Sequence, residues 1–373
     1  MNPPESLYIH VPFCRHRCGY CNFTLVAGRD HLIDSYLRAI EKEVARAPAA
    51  SIKTIFIGGG TPTHLSIEQL STLLDIFESK FDLSRCEEFS MEGNPMDFDD
   101  ELVEFLHSKK VNRISLGVQS FQPGKLKLLE RDHSKEVILR AVELIKSKIE
   151  DFSIDLIIGT AGETQELWHS DLREAIGCRP KHVSTYSLTV EKGTQFWNRE
   201  QRDQRLKVDD ETSAELYETG VDLLQANGFR HYEVSNFAQP GFECRHNINY
   251  WNAKGYFGFG PGAARYVDGI RGLNHQSTSQ YIRLVLDDQD PTVEKEFIDA
   301  EQSARERLIF GLRQIDGIDV AEFQTDTGQK LEDLVGGSLE ELLEAGLLAM
   351  VGNHLRLTRS GLLVSDSIWP EFL

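Results

Sequence analysis

Apolar residues in the first half of the chain fall into short runs, each closed by a glycine, proline or polar turn and followed by a helical repeat. Leu7 to Val11 reads as a buried strand, and a helical pattern from about His31 to Ala47 is stopped by Pro48. Lys53 to Ile57 is a second strand running into Gly58-Gly59-Gly60-Thr61-Pro62-Thr63, and Ser66 with Gln69 forms a capping box that opens the next helix. The alternation repeats with strands at Glu88–Met91, Asn112–Val118, Phe152–Ile158 and Lys181–Leu188, and with helices from about Asp99, Lys135 and Thr164. Six such units in about 190 residues predict a parallel sheet with right-handed crossovers. Six are too few to close an eight-stranded barrel, so the expected fold is α/β, an open partial (β/α)6 barrel.

A further helix is expected from Asp209 to Leu224, stopped by Asn227-Gly228. The pattern divides the chain into a partial barrel at 1–230, a connecting region at 231–299 rich in aromatics, histidine and glycine, and an α-rich C-terminal module at 300–373. In that last stretch, short helices precede a β-like Leu355-Arg356-Leu357-Thr358, which suits a small winged-helix-like unit. Its 13 acidic against 6 basic side chains argue against DNA binding.

Composition narrows the function classes. The 373 residues are 40% hydrophobic, enough for a large core, and the formal net charge of -19 excludes a general nucleic-acid binder. Six cysteines in so long a chain are no disulfide framework. No charged-then-apolar signal opens the sequence and no apolar run reaches ~18 residues, so a reduced, cytoplasmic setting is expected.

The chemistry concentrates in Tyr8-Ile9-His10-Val11-Pro12-Phe13-Cys14-Arg15-His16-Arg17-Cys18-Gly19-Tyr20-Cys21-Asn22-Phe23. Three thiolates spaced C-x3-C-x2-C on one loop can face a single metal centre, and soft sulfur selects zinc, copper(I) or an iron–sulfur cluster. Zinc would need a fourth ligand, His10 or His16; buried cysteines acting as small hydrophobes are the plainest alternative. An ordinary [4Fe–4S] cluster takes four cysteines, so three suggest a cube with one iron open to an outside ligand. Arg15, His16 and Arg17 between them do not look like core.

The strand ends add polar groups. The Gly58–Thr61 turn lets bare backbone approach a ligand, and Glu92, Gln119 and Arg131 stand at or after apolar strands, with Asp155 inside one. Singly each reads as a solvated loop residue; together they make a polar ring at the carboxyl ends of the strands. Further on, His246-Asn247-x-x-Tyr250-Trp251 sets an imidazole among large aromatics. By residue type it reads as a packed aromatic cluster, with haem ligation as the alternative.

The cysteine spacing, with Tyr20 as the aromatic before the third cysteine, resembles the radical S-adenosylmethionine (SAM) superfamily. L-Y-I-H-V-P-F-C-x3-C-x2-C, G-G-G-T-P-T, E-G-N-P, G-V-Q-S-F, S-I-D-L-I-x-G and C-R-H-N-x-x-Y-W occur in the order expected for the HemW-type haem chaperones. That family is related to oxygen-independent coproporphyrinogen III oxidase (HemN), and the match covers nearly the whole chain. The resemblance implies a [4Fe–4S] cluster on Cys14, Cys18 and Cys21, and SAM contacts from Tyr8, Tyr20, Gly59, Gly60, Thr61, Glu92, Gln119, Arg131 and Asp155. It makes His246, with Asn247, Tyr250 and Trp251, the leading haem-binding candidate. It also implies haem as cargo, apo-haemoprotein recipients including respiratory enzymes at the membrane, an electron donor, and a C-terminal module of HemN type.

Two departures set the chain apart from the oxidase. The oxidase has another cysteine two residues after the third, where Phe23 stands here, and an extension ahead of the cluster strand, whereas Tyr8 lies near the start of this sequence. Within the family pattern, Ala161 replaces a usual proline and Arg265 a small polar residue. The expectation is therefore a chaperone, with porphyrinogen decarboxylation and a zinc-stabilised α/β binding protein as the alternatives.

Overall fold

A computed structural model describes residues 3–202 and 204–373. Six parallel strands carry the barrel: β1 (Ser6–Val11), β2 (Thr54–Gly59), β3 (Glu88–Gly93), β4 (Arg113–Gln119), β5 (Asp151–Ile158) and β6 (His182–Ser187). They are hydrogen-bonded in chain order, and their helix-facing residues form one continuous core with the crossover helices. Ser66 and Gln69 make the reciprocal capping box expected of them, and Asp99, Thr164 and Asp209 cap their helices through side-chain oxygens.

The sheet is larger than the six strands read from sequence. Arg230–Glu233 (β7), Asn236–Ala238 (β8) and Phe257–Phe259 (β9) extend it to nine, in the order β9-β1-β2-β3-β4-β5-β6-β8-β7. β8 and β7 add antiparallel beyond β6, and β9 adds parallel to β1 at the opposite edge. The stretch read as a connecting region thus supplies strands to both edges of the barrel sheet. Phe257 and Phe259 hold β9 in place by packing on Phe81, with Phe77 beside Phe259. The following glycine loop is fastened by buried Glu43, which accepts from the Gly260 N–H (2.9 Å), the Asn274 amide (2.6 Å) and the Tyr281 hydroxyl (2.6 Å).

Residues from Ala300 onward build a second core of their own, around Leu308, Leu312, Phe323, Leu355 and Phe372. Helices Ala300–Leu312, Val320–Thr327 and Leu331–Glu344 pack with the hairpin Leu348–Val351 and His354–Leu357, which gives the winged-helix-like outline. Arg359 ties this module to the barrel by pairing with Asp222 (2.8 Å) and Glu218 (3.0 Å) on helix Asp210–Ala226. No helix among the described residues is long and apolar enough to cross a membrane.

Candidate functional site: a polar lumen under the cysteine loop

The cysteine loop begins where β1 ends, and backbone bonds clamp its base. Thr61 N–H donates to Phe13 O and Gly60 N–H to Val11 O, both at 2.8 Å, while Val26 N–H donates to Pro12 O at 2.7 Å. A Cβ on Gly60 would lie 2.6 Å from Phe13 O, and Gly59, at φ +113°, turns its bare α-carbon toward the His10 ring. Only glycine lets the two loops approach this closely. Cys14, Cys18 and Cys21 are free thiols lining one cavity of about 700 Å³. Cys14 Sγ lies 2.7 Å from Thr61 Oγ1, and Arg131 Nη1 lies 3.8 Å from Cys18 Sγ.

Among the described residues, no group of three His, Cys, Asp or Glu side chains converges as a single metal ion requires. His10 cannot serve as a fourth zinc ligand here, because its Nε2 meets Thr24 O (2.6 Å) and its Nδ1 meets the Tyr8 hydroxyl (3.0 Å). His16 stands apart, exposed and 3.8 Å from Glu130.

The ring of polar residues expected at the strand ends is brought together. Tyr8, Tyr20, Gly59, Gly60, Thr61, Glu92, Gln119, Arg131 and Asp155 all line the cavity that the thiols line. Gln119 ends β4 with φ +67°, where the register with β5 slips and re-aims the side chain. The N–H groups of Gly59, Gly60 and Thr61 are all spent on protein acceptors, Gly59 on Glu92 Oε2 at 3.0 Å. Arg131 donates to Gly117 O (2.7 Å) but leaves a buried Nε–H without a partner, a donor suited to a carboxylate. Asp155 accepts from Ser115 (2.7 Å) and Ser153 (3.0 Å), which is how an otherwise apolar strand tolerates it.

The His246-Asn247-x-x-Tyr250-Trp251 segment lies at the other end of the barrel. Helix Arg245–Trp251 sits under the first residues of β2 and β3: Glu88 accepts from the N–H groups of Arg245 (2.8 Å) and His246 (3.0 Å). The Thr54 hydroxyl donates to Ser6, so it accepts from His246 Nδ1–H at 2.9 Å. Nε2 is then left as the acceptor of the Tyr250 hydroxyl at 2.8 Å. Burial holds this imidazole neutral, down to about 3. His246, Asn247 and Tyr250 line the cavity floor. Trp251 does not line it; its ring carries the Arg313 guanidinium, 4.9 Å away, at the junction with the C-terminal module.

The Radical SAM superfamily model matches residues 8–175, and the HemN C-terminal domain model matches residues 298–364. The heme chaperone HemW of Lactococcus lactis is 36% identical over the whole chain and 98% of its own length, and that of Escherichia coli is 34% identical over 100% and 98%. The chain belongs to the HemW family. Its fold is that of the Escherichia coli coproporphyrinogen III oxidase HemN, a radical SAM enzyme, with a TM-score of 0.88 at 22% identity over all of this chain and 90% of that one.

Sequence reading missed several groups that line the lumen of this HemW-family barrel: Arg113, Ser115, Ser153, His182, Ser184 and Tyr186. Part of their signal was available: in β4, Arg113, Ser115, Gly117 and Gln119 alternate with Ile114, Leu116 and Val118, and in β5 Asp151, Ser153 and Asp155 alternate with Phe152, Ile154 and Leu156, whereas β6 shows no such contrast. These residues form linked bonds, Ser153 to His182 (2.9 Å) and His182 to the Tyr232 hydroxyl (2.8 Å).

Glu92 yields a pH prediction. Burial raises its carboxyl to about 8, against the Gly59 N–H that lowers it, and nearby Asp155 adds to the rise. A folded-state value above the unfolded one means that the native state binds the extra proton, so stability is full below about pH 4.5 and falls as pH rises through about 8. Urea midpoints of the ligand-free protein should therefore drop between about pH 5 and 8 by more than those of Glu92→Gln. Equal slopes for the two proteins would show that Glu92 is not the group responsible.

Proposed function

We propose that this chain is a radical-SAM haem chaperone, which binds haem and delivers it to apo-haemoproteins, respiratory enzymes at the membrane among them. The observation that carries the reading is the end-to-end relation to heme chaperones named HemW at 34–36% identity. Cys14, Cys18 and Cys21 would hold a [4Fe–4S] cluster by three irons. Tyr8, Tyr20, Gly59, Gly60, Thr61, Glu92, Gln119, Arg131 and Asp155 would hold SAM. The donor set supports this assignment. An ammonium group donates only, and it would meet a turn whose N–H groups are already spent, beside the carboxylate of Glu92 and the hydroxyl of Thr61. The Arg131 Nε–H would meet the SAM carboxylate. When bound, the cluster supplies one electron for reductive cleavage of SAM, and an external donor must reduce it. The chain's own part is to orient the ligand and keep water out.

Decarboxylation of coproporphyrinogen is disfavoured by Phe23, which replaces the oxidase's additional cysteine with an inert ring. His246 is the candidate iron ligand within H-N-x-x-Y-W, and ligation through Nε2 requires the Tyr250 hydroxyl to give way. The test is anaerobic: haem and coproporphyrinogen III are offered separately to reconstituted protein with SAM and a reductant. Stoichiometric haem uptake without carbon dioxide release is expected; turnover of coproporphyrinogen would establish the oxidase instead.

A further inference from the structure

A single file of buried side chains runs through the barrel wall and ends on Asp155. Ser153 on β5 donates to Asp155 Oδ1 at 3.0 Å. His182, at the start of β6, has Nδ1 2.9 Å from Ser153 Oγ and Nε2 2.8 Å from the hydroxyl of Tyr232 on β7. The file closes on backbone: the Cys244 N–H, just ahead of helix Arg245–Trp251, donates to the Tyr232 oxygen at 3.3 Å. Ser153, His182 and Tyr232 are all buried, so none of these bonds is made in bulk water.

Donor counting assigns every hydrogen in the file. Burial and the nearby Arg113 guanidinium hold His182 neutral, so one ring nitrogen donates and the other accepts. If Nε2 carried the hydrogen, it would donate to Tyr232. The Tyr232 O–H would then have no acceptor among the described residues, because its other neighbour is an N–H. Leaving a buried donor unmet is costly enough to decide the tautomer. Tyr232 therefore donates to Nε2, and Nδ1–H donates to Ser153 Oγ. The one hydrogen of Ser153 goes to the Asp155 carboxylate in preference to the more distant Ser184 Oγ at 3.3 Å. Ser115 serves the other carboxylate oxygen at 2.7 Å. The far end of the file is a backbone amide, which has no proton to pass on, so the file fixes orientation and does not relay protons.

We propose that His182 and Tyr232 are positioning residues for Asp155: together they turn the Ser153 hydroxyl onto its carboxylate and so fix the acceptor that SAM meets. The proposal rests on the reading that SAM is held at Asp155. It adds two residues to that site, one of which, Tyr232, does not line the cavity at all. Tyr232 acts by giving its hydrogen the single acceptor within reach, which leaves His182 one tautomer and Ser153 one direction.

The test measures SAM affinity of anaerobically reconstituted full-length protein by equilibrium dialysis. Tyr232→Phe removes one oxygen atom outside the cavity. It should weaken SAM binding about tenfold, the worth of one hydrogen bond to a charged group, at unchanged iron and sulfide content. His182→Phe should weaken it to a similar degree. His182→Asn, whose amide N–H stands where Nδ1–H stood, should recover most of the affinity; a role in packing alone predicts the reverse, since asparagine fills less of the ring's space. Asp155→Asn with Tyr232→Phe should bind no worse than Asp155→Asn alone. Wild-type affinity in Tyr232→Phe, no recovery in His182→Asn, or additive losses in the pair overturns the positioning role while leaving SAM binding in place. Wild-type protein that binds no SAM overturns the reading beneath it as well.

Discussion

Replacing Cys14, Cys18 and Cys21 together by alanine should reduce iron and sulfide in anaerobically reconstituted protein to background and remove the sulfur-to-iron charge-transfer absorption of a thiolate-bound cube. Each single replacement should lose most of the cluster, because a cube held at two corners has no third anchor. Folding should change little. The loop's base is fixed by backbone bonds from Gly60, Thr61 and Val26, and by the Tyr8–His10–Thr24 chain, none of which uses a thiol. Zinc in stoichiometric amount without iron or sulfide would revive the binding-protein alternative. The spent ring nitrogens of His10 argue against that outcome.

Lys125→Met should destabilise the protein by about 3–5 kcal/mol, the cost of removing one partner from a buried ion pair. Lys125 is 8% exposed and pairs with Glu163 and, at 3.3 Å, with Asp171, whose side chains are 1% and 0% exposed. The carboxylates cannot turn to water. Glu163 is held by the N–H groups of Gly159 (2.8 Å) and Thr160 (3.0 Å), and Asp171 by Ser120 (2.7 Å) and Phe121 N–H (2.8 Å). Methionine keeps the length of the side chain, so the loss reports the ammonium group, its place over the Trp168 ring included. Urea denaturation measures it through the midpoint, and Lys125→Met with Glu163→Gln and Asp171→Asn should recover part of the loss. A change below about 1 kcal/mol would mean that the carboxylates find other partners.

The six barrel strands were legible because parallel strands buried on their helix-facing side read as apolar runs, and glycine or polar turns end each one. The candidate site was legible for the same reason: Gly59, Glu92, Gln119 and Asp155 stand out against the apolar strands they end or interrupt. What sequence could not give is non-local. β7, β8 and β9 have four, three and three residues, too short to show a period, and β9 finds its partner β1 some 250 residues away in sequence. Lys125, Glu163 and Asp171 look like helix-surface and loop charges until the fold buries them against one another. In H-N-x-x-Y-W, residue type could not reveal that Thr54 and Tyr250 occupy both ring nitrogens of His246, or that Trp251 turns away to Arg313.

The most direct measurement is the low-temperature electron paramagnetic resonance spectrum of the reduced, reconstituted protein, recorded before and after SAM is added. If three cysteines leave one iron open, the sulfonium ligand must change the spectrum of the reduced cube, and Arg131→Ala must weaken that response. A spectrum that saturating SAM leaves untouched would contradict the account at its centre.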